Sequence, residues 1–483
     1  MTDKNLSEKA IHVSSEIGSL RRLMIHSPDS GLGKVVPSKA QDWLFEDIIH
    51  LDTMRKDEYD YYIKLLLYFL DPEKVQGKIS EIDKAENKRA FYKPDNPNYF
   101  KSDKVIDPQF LLSEILHDKD IKTRLVSSIC AVERCSYIIQ EELLNFDPVT
   151  LSKTLISGAL PNGSMVFPPV PNFIFTRDIG ITINDYILLN RPAKLVRIRE
   201  SLIMKYIFYN HAYFSHYKDK IIEITENEHQ FFLGDEDKKL YEVTVEGGDV
   251  MTVSKDQIII GCSERTSLKA INQIITILFE KNIVKKVSVV KIPPKRDFMH
   301  IDTVFTQVKR NVWVIFGILS KQNKAFNNKE FSQHFIDNSL AFKPQILQFE
   351  KGVAKPKEFE FLEDLLDDIS QNDLKSTEKT QFIYSGGNEF PFELREQWTD
   401  SCNVLALKEG VVISYDRNTK TAEAFKSKGF QTIEVEDLLT KFENGELSPE
   451  EIRDMVILLP SAELSRARGG SHCMSMPLLR DEL

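Results

Sequence analysis

Residues 249–262 read DVMTVSKDQIIIGC. Two apolar runs rich in Val and Ile flank the polar step Ser254-Lys255-Asp256, and paired runs around such a turn spell a β-hairpin. The same pattern recurs along the chain. FIFTRDIGITINDYILLN (173–190) is an apolar run, a polar turn and a second apolar run. DTVFTQVKRNVWVIFG (302–317) turns at Lys309-Arg310-Asn311, and CNVLALKEGVVISYD (402–416) turns at Glu409-Gly410. GSLRRLMIHSP (18–28) is a partial fifth unit. Helical patterns follow several of these hairpins. Residues 265–282 place Leu268, Ile271, Ile274, Ile275 and Leu278 near a 3.6-residue period, and 421–429 form a shorter helix stopping at a glycine. Repeated strand–turn–strand–helix units at wide spacing predict a radial α/β array with inner strand ends meeting at one axis.

Two stretches interrupt the pattern. Residues 72–160 read as consecutive helices around a Pro- and Asn-rich loop, KPDNPNYF (93–100), and predict a helical insertion. Residues 320–378 form a second, polar insertion. The charge runs 235–239 (DEDKK) and 362–368 (LEDLLDD) read as solvated faces.

The chain has 483 residues, 42% hydrophobic and 28% charged, with a formal net charge of −10. A core of useful size is expected, in one large domain or two. No basic stripe is present, so neither nucleic acid nor an anionic membrane is an expected partner, whereas a small cation is electrostatically favoured. No apolar run approaches a membrane span, and the first residues lack the apolar stretch of a signal peptide, so a cytoplasmic location is expected. The five cysteines form no CxxC pair and leave one odd, which suits a reducing compartment.

Chemistry-bearing residues stand at matching places in the repeats. Asp178, Asp249, Asp302 and Asn403 each lie in or beside the first strand of a hairpin. Glu246 precedes Asp249 in EGGD, His300 precedes Asp302 in HID, and Cys473 follows Gly469, Gly470 and His472 in SRARGGSHCMSMP. Those two glycines are expected to supply positive φ, and His472 reads as a local loop residue. One thiol, one imidazole and four carboxylates point to a nucleophile aimed at a cationic carbon. A metallohydrolase using His300, Asp302, Asp249 and Cys473 is the competing reading, but no closely spaced ligand pair supports it; no metal or other cofactor is expected.

The segments PNFIFTRD, LVRIRE, EGGDV with GCSERTS, MHIDTVFT, LREQWTDSCN with VVISYDRNT, and ELSRARGGSHCMSMP resemble, in order, those of the arginine deiminases of the guanidino-group-modifying (pentein) superfamily. That resemblance implies a five-bladed α/β propeller with an inserted all-helical domain. The expected division is 1–71 as the first blade, 72–160 as the helical insertion, and 161–483 as the remaining blades with the extra insertion at 320–378. It implies hydrolysis of free L-arginine to L-citrulline and ammonia through a covalent thiouronium on Cys473, with His300 as general acid and base. Asp178 and Asp302 match the carboxylates that grip the guanidinium, and Glu246 and Asp249 the acidic pair beside the reacting centre. Asn172, Arg197 and Arg265 match contacts to the amino-acid end of the substrate, and Arg468 matches the arginine of the mobile loop beside the nucleophile. A homo-oligomer, dimer or higher, is expected. Related possibilities are an agmatine or peptidyl-arginine deiminase, an amidinotransferase, or a non-catalytic arginine-binding protein. The segment 438–460 and the 320–378 insertion are longer than the family pattern.

Overall fold

A computed structural model describes residues 11–45, 47–84, 91–226, 234, 242–322 and 344–483. The 235–239 charge run and residues 323–343 of the second insertion lie outside the described residues.

Among the described residues five mixed sheets carry the fold, and each contains an antiparallel pair with a further strand parallel to one of its members. In the first, Leu20–Met24 lies antiparallel to Met476–Arg480 and parallel to Val105–Ile106. In the second, the hairpin Ile181–Ile183/Tyr186–Leu188 takes Ile221–Ile222 in parallel. The third joins Val250–Ser254/Gln257–Cys262 to Lys286–Lys291, then adds Gln345–Glu350 and Lys357–Phe359 antiparallel. The fourth joins Phe305–Lys309/Val312–Ile315 to Gln381–Tyr384. The fifth joins Leu405–Lys408/Val411–Tyr415 to Met455–Leu459, with Gln431–Glu434 outside it.

A parallel partner cannot be reached by a tight turn and needs a crossover, usually helical. Tyr59–Leu70, Ile198–Asn210, Leu268–Glu280, Leu362–Asp368 and Thr419–Ser427 lie in those crossovers, at least one helix for each sheet, with Val435–Glu443 a further one in the fifth. Leu268–Glu280 shows how the sequence makes one: Ser267 accepts a hydrogen bond from the Ala270 N–H as N-cap, and Ile271, Ile274, Ile275 and Leu278 bury one face.

Three hairpins turn where their sequences predict. In 173–190 the first apolar run instead belongs to the 3₁₀ turn Pro171–Ile174, and the hairpin turns at Asn184-Asp185, with Asn184 at φ 50°. The 18–28 unit is a single strand whose antiparallel partner comes from the far end of the chain. Between 72 and 160 lie the helices Pro108–Ile115, Lys119–Val132, Tyr137–Asn145 and Pro148–Ser157, together with the strand Val105–Ile106 of the first sheet. Asp107, Asp118, Ser136 and Asp147 cap these four helices through side-chain oxygens. No described helix is long and apolar enough to cross a membrane.

Strand alternation distributes side chains between different cores. Val250 and Ile258 pack with the second sheet's Ile181 and Leu188, whereas Met251 and Ile259 pack with the fourth sheet's Phe305 and Val312. Leu405 and Ile413 face the first sheet's Leu20 and Leu23; Ala406 and Val412 face the third and fourth sheets. Both faces of these strands are buried, which is why they read as continuous apolar runs rather than alternating ones.

The first sheet is tied to the helices by a buried cation. His26 has no exposed surface; Nδ1 lies 3.0 Å from Asp107 Oδ1 and Nε2 3.2 Å from Asp29 Oδ2. Burial opposes the charge, but Asp107 and Asp29 together raise the His26 pKa from 6.5 to about 9. Its stabilisation is therefore fully present below pH 6.5 and is lost as pH rises through about 9. The difference amounts to roughly 3 kcal/mol. Between pH 7 and 10 the melting temperature of His26→Gln should fall less than that of the wild type. Parallel melting curves for the two proteins across that range would refute this assignment.

Candidate active site

Loops entering the first strand of each hairpin supply the centre. Asp178 stands three residues before Ile181, Glu246–Asp249 ends immediately before Val250, Asp302 precedes Phe305 by three and Asn403 precedes Leu405 by two. Cys473 likewise stands three residues before Met476. Glycine allows these loops to approach one another. A Cβ on Gly247 would lie 1.9 Å from the Arg177 carbonyl oxygen, and one on Gly248 would lie 2.5 Å from His300 Nδ1. Gly469 and Gly470 act in the same way, against Phe175 and the Asn403 carbonyl; neither has the positive φ expected of it, which falls instead on Arg468 at φ 60°. Asn403 pins two segments at once, since Oδ1 accepts from the Cys473 N–H at 2.9 Å and Nδ2 donates to the Asp302 carbonyl at 3.1 Å.

The thiol is buried, with Sγ 3.5 Å from Asp302 Oδ2. Burial and then the charges of Asp302, Asp178 and Asp400 push its pKa well up, against the hydrogen bond with Asn403. These surroundings favour the thiol form of Cys473, and a positive neighbour is needed to make it a thiolate. Asp302 Oδ1 is buried and has no hydrogen-bond partner among the described residues. His300 Nε2 lies 3.0 Å from Glu246 Oε2, and Nδ1 lies 3.8 Å from Asp178 Oδ1. Burial opposes protonation of His300, but Asp178, Glu246 and Asp249 raise its pKa to about 10. Glu246 is pushed up by burial yet held far below the usual carboxylate range by Arg197, His300 and Arg265.

Asp249 belongs to a second row: Oδ1 accepts from the Ile301 N–H at 3.0 Å and Oδ2 from Ser263 Oγ at 2.5 Å. Burial raises its pKa to about 7. It fixes the His300 segment from behind. Arg197 lies among the acids, with Nη1 2.9 Å from both Asp178 Oδ2 and Glu246 Oε2 and Nη2 2.9 Å from Glu200. Asp178, Glu246 and His300 could offer three atoms to a metal ion, but Arg197 Nη1 already bridges the two carboxylates with positive charge. Arg265 Nη1 is 3.7 Å from Glu246, and Asn172 donates through Nδ2 to the Trp43 carbonyl at 2.8 Å. A cavity of about 20 Å³ opens among Asn172, Asp178, Arg197, Glu246, Arg265, His300, Arg468 and Cys473, with Leu44, Phe175 and Met299 as apolar walls. That volume holds little more than a water molecule, so an amino acid must displace side chains to enter.

Sequence reasoning overlooks the layer under Asp302. His472 is no mere loop residue: Nδ1 is 2.9 Å from Asp302 Oδ2 and Nε2 is 3.3 Å from Glu16 Oε2. Glu16 in turn receives two hydrogen bonds from Arg177, each 3.4 Å. Burial raises the Glu16 pKa, but Arg177 and His472 hold it far below the ordinary value. One signal was available, because Glu16 precedes the strand Leu20–Met24 much as the other acids precede theirs.

A family model described as arginine deiminase matches residues 142–480. The chain belongs to the arginine deiminase family. The arginine deiminase of Borrelia garinii subsp. bavariensis is 28% identical over 484 residues, covering 98% of each chain. That of Listeria monocytogenes serotype 4b is 26% identical over 498 residues, covering 99% of each. Among solved structures, an amidinotransferase of the saxitoxin pathway from Microseira wollei aligns over 98% of both chains at 13% identity, with a TM-score of 0.48.

Removing one member of a buried charge network leaves the others uncompensated, at about 3–5 kcal/mol. Glu16→Leu in this arginine deiminase family member should lose about that much in urea unfolding. A loss below about 1 kcal/mol would show that the Arg177–Glu16–His472 chain contributes little to the fold.

Proposed function

We propose that this arginine deiminase family member hydrolyses free L-arginine to L-citrulline and ammonia in the cavity beside Cys473. One observation carries the reading: a buried thiol lies 3.5 Å from Asp302, whose second oxygen is unpartnered, while Asp178, Glu246 and His300 face the same cavity. The cavity is polarised. Carboxylates gather at the thiol, and Arg265 and Arg468 also line it, so a molecule with a guanidinium at one end and a carboxylate at the other matches both.

On this reading the substrate guanidinium hydrogen-bonds to Asp302 and Asp178, which fix its plane and preserve its charge. Its arrival favours loss of the Cys473 proton to solvent, and the thiolate attacks the central carbon. Protonated His300 donates to one amino group as the C–N bond breaks, releasing ammonia and leaving a Cys473 thiouronium. Neutral His300 then takes a proton from water, and the resulting hydroxide adds to the same carbon. Collapse of that adduct breaks the C–S bond and restores the thiolate. The adduct's remaining hydroxyl proton passes to ammonia, giving citrulline and ammonium.

For the architecture, we propose that the five sheets form five blades of a propeller, the first built on Leu20–Met24 within 1–71 and completed by Val105–Ile106 and Met476–Arg480, with the helices of 72–160 inserted into it and 161–483 supplying the other blades. Successive sheets share cores in ring order: first with second, second with third, third through fifth, and fifth with first. The helical segment presents Tyr137 and Ile138 to solvent at 72% and 77% exposure, which supports a homo-oligomeric assembly, dimer or higher. Five free thiols among the described residues support a cytoplasmic location.

Cys473→Ser should abolish citrulline formation while keeping the wild-type melting temperature. His300 must be protonated to release ammonia, so at saturating arginine, where the bound guanidinium already favours the Cys473 thiolate, kcat should fall as pH rises through about 10. An alkaline limb near the ordinary histidine value of about 6.5 would remove His300 from that step.

A further inference from the structure

The loop that delivers Cys473 contains a side chain whose placement the reaction scheme leaves unexplained. Arg468 is buried, and its guanidinium carbon lies 3.8 Å from the centroid of the Trp398 ring. Nη2 donates to the Asp297 carbonyl at 3.1 Å, and the same carbonyl accepts from Gln397 Nε2 at 2.9 Å. The last two residues of the helix Phe392–Trp398 and the backbone three residues before His300 thus make one seat. Nε and Nη1 of Arg468 are buried without a hydrogen-bond partner among the described residues, and Arg468 lines the cavity that also holds Arg265 and Cys473.

The orientation of a guanidinium decides what it can bind. Its N–H donors all lie in its plane, so stacking on an indole face fixes the plane without consuming a donor. Nε shares one edge of the plane with Nη2 and Nη1 shares the other, so one carboxylate cannot bridge Nε and Nη1; buried N–H groups left unpaired are costly, however, and an anion beside Nη1 would satisfy its donors. The seat therefore leaves the Nη1 donors for an anion; the buried Asp400 feels the Arg468 charge, but neither of its oxygens is hydrogen-bonded to it.

We propose that Trp398 is the positioning residue that holds Arg468 for the α-carboxylate of the amino-acid substrate, and so sets selectivity for free arginine over guanidines lacking a carboxylate. This rests on the reading of the cavity as a free-arginine site. Trp398 is 43% exposed, so truncating it opens little interior volume.

The test uses full-length Trp398→Leu, Trp398→Phe and Arg468→Gln. The KM for L-arginine is measured alongside the inhibition constant of agmatine, which carries the guanidinium without the carboxylate. Trp398→Leu should raise the KM about two- to thirtyfold, the span of a desolvated cation–π contact, with little change in kcat. Agmatine inhibition should be unaltered, and Trp398→Phe should recover most of the loss. A raised KM in Arg468→Gln with no change in Trp398→Leu would overturn the positioning role and leave the site reading standing. Equal weakening toward arginine and agmatine in Trp398→Leu would assign Trp398 a general structural part and also overturn it. An unchanged KM in Arg468→Gln would overturn this inference and leave the carboxylate end of the cavity to Arg265.

Discussion

Crowded negative charge at the centre is the constraint on which the rest depends. Glu16, Asp178, Glu246, Asp249 and Asp302 are all buried, and no isolated carboxylate remains ionised so far from water. Each must find a cation, dense hydrogen bonding or a proton. Arg177 and His472 compensate Glu16, Arg197 compensates Asp178 and Glu246, and His472 compensates Asp302. Asp249 has no arginine partner among the described residues and takes the third course, its pKa rising to about 7 through burial. Because these groups come from different sheets, satisfying the charges also fixes the loops relative to one another.

This explains why the middle of the molecule is polar although its strands are not. The strands are apolar on both faces because each face enters a different core, as Val250 and Met251 do. The polar groups occur where the strands begin, in 3₁₀ turns such as Gly247–Asp249 and Ile301–Thr303. A turn at that point exposes side chains toward the centre without interrupting a ladder of strand hydrogen bonds. Thr306 shows the transition, with its hydroxyl donating to the Cys402 carbonyl at 2.6 Å just inside the strand.

Local patterns were legible because local physics determines them. Apolar runs and turn residues located the hairpins at 255, 310 and 409–410, and a 3.6-residue period located Leu268–Glu280. Long-range partners were not. Nothing in LRRLM announces pairing with Met476–Arg480, some 450 residues away, and the parallel third strands depend on crossovers whose direction is a tertiary property. The site divided along the same line. Cys473, His300 and the hairpin acids stand in distinctive local contexts, whereas Glu16 and Trp398 look ordinary in sequence and acquire their roles only from what packs against them. FIFTRD misled for a related reason: its apolar residues suit a strand, but Phe175 and Asp178 face the central cavity and the backbone turns to place them there.

Arg197 brings the charge argument to the reaction. Its guanidinium is the cation between Asp178 and Glu246, a place chemically suited to the group that the substrate carries. It cannot fully substitute for substrate, because Glu200 binds its other edge and Asp302 Oδ1 remains unpartnered. On the proposed reading an incoming guanidinium meets an unpartnered acceptor in Asp302, which stands beside Cys473 and not in the cavity lining itself, and must share Asp178 with Arg197. On the proposed reading that asymmetry places the substrate's positive carbon toward Cys473, since Asp302 is the acid in contact with the thiol. The same contact keeps the thiol protonated until a cation arrives, because Asp302 raises its pKa when alone and is neutralised when paired. Nucleophile activation and substrate recognition then become one electrostatic event, centred on a single carboxylate whose position is set by His472 and Asn403.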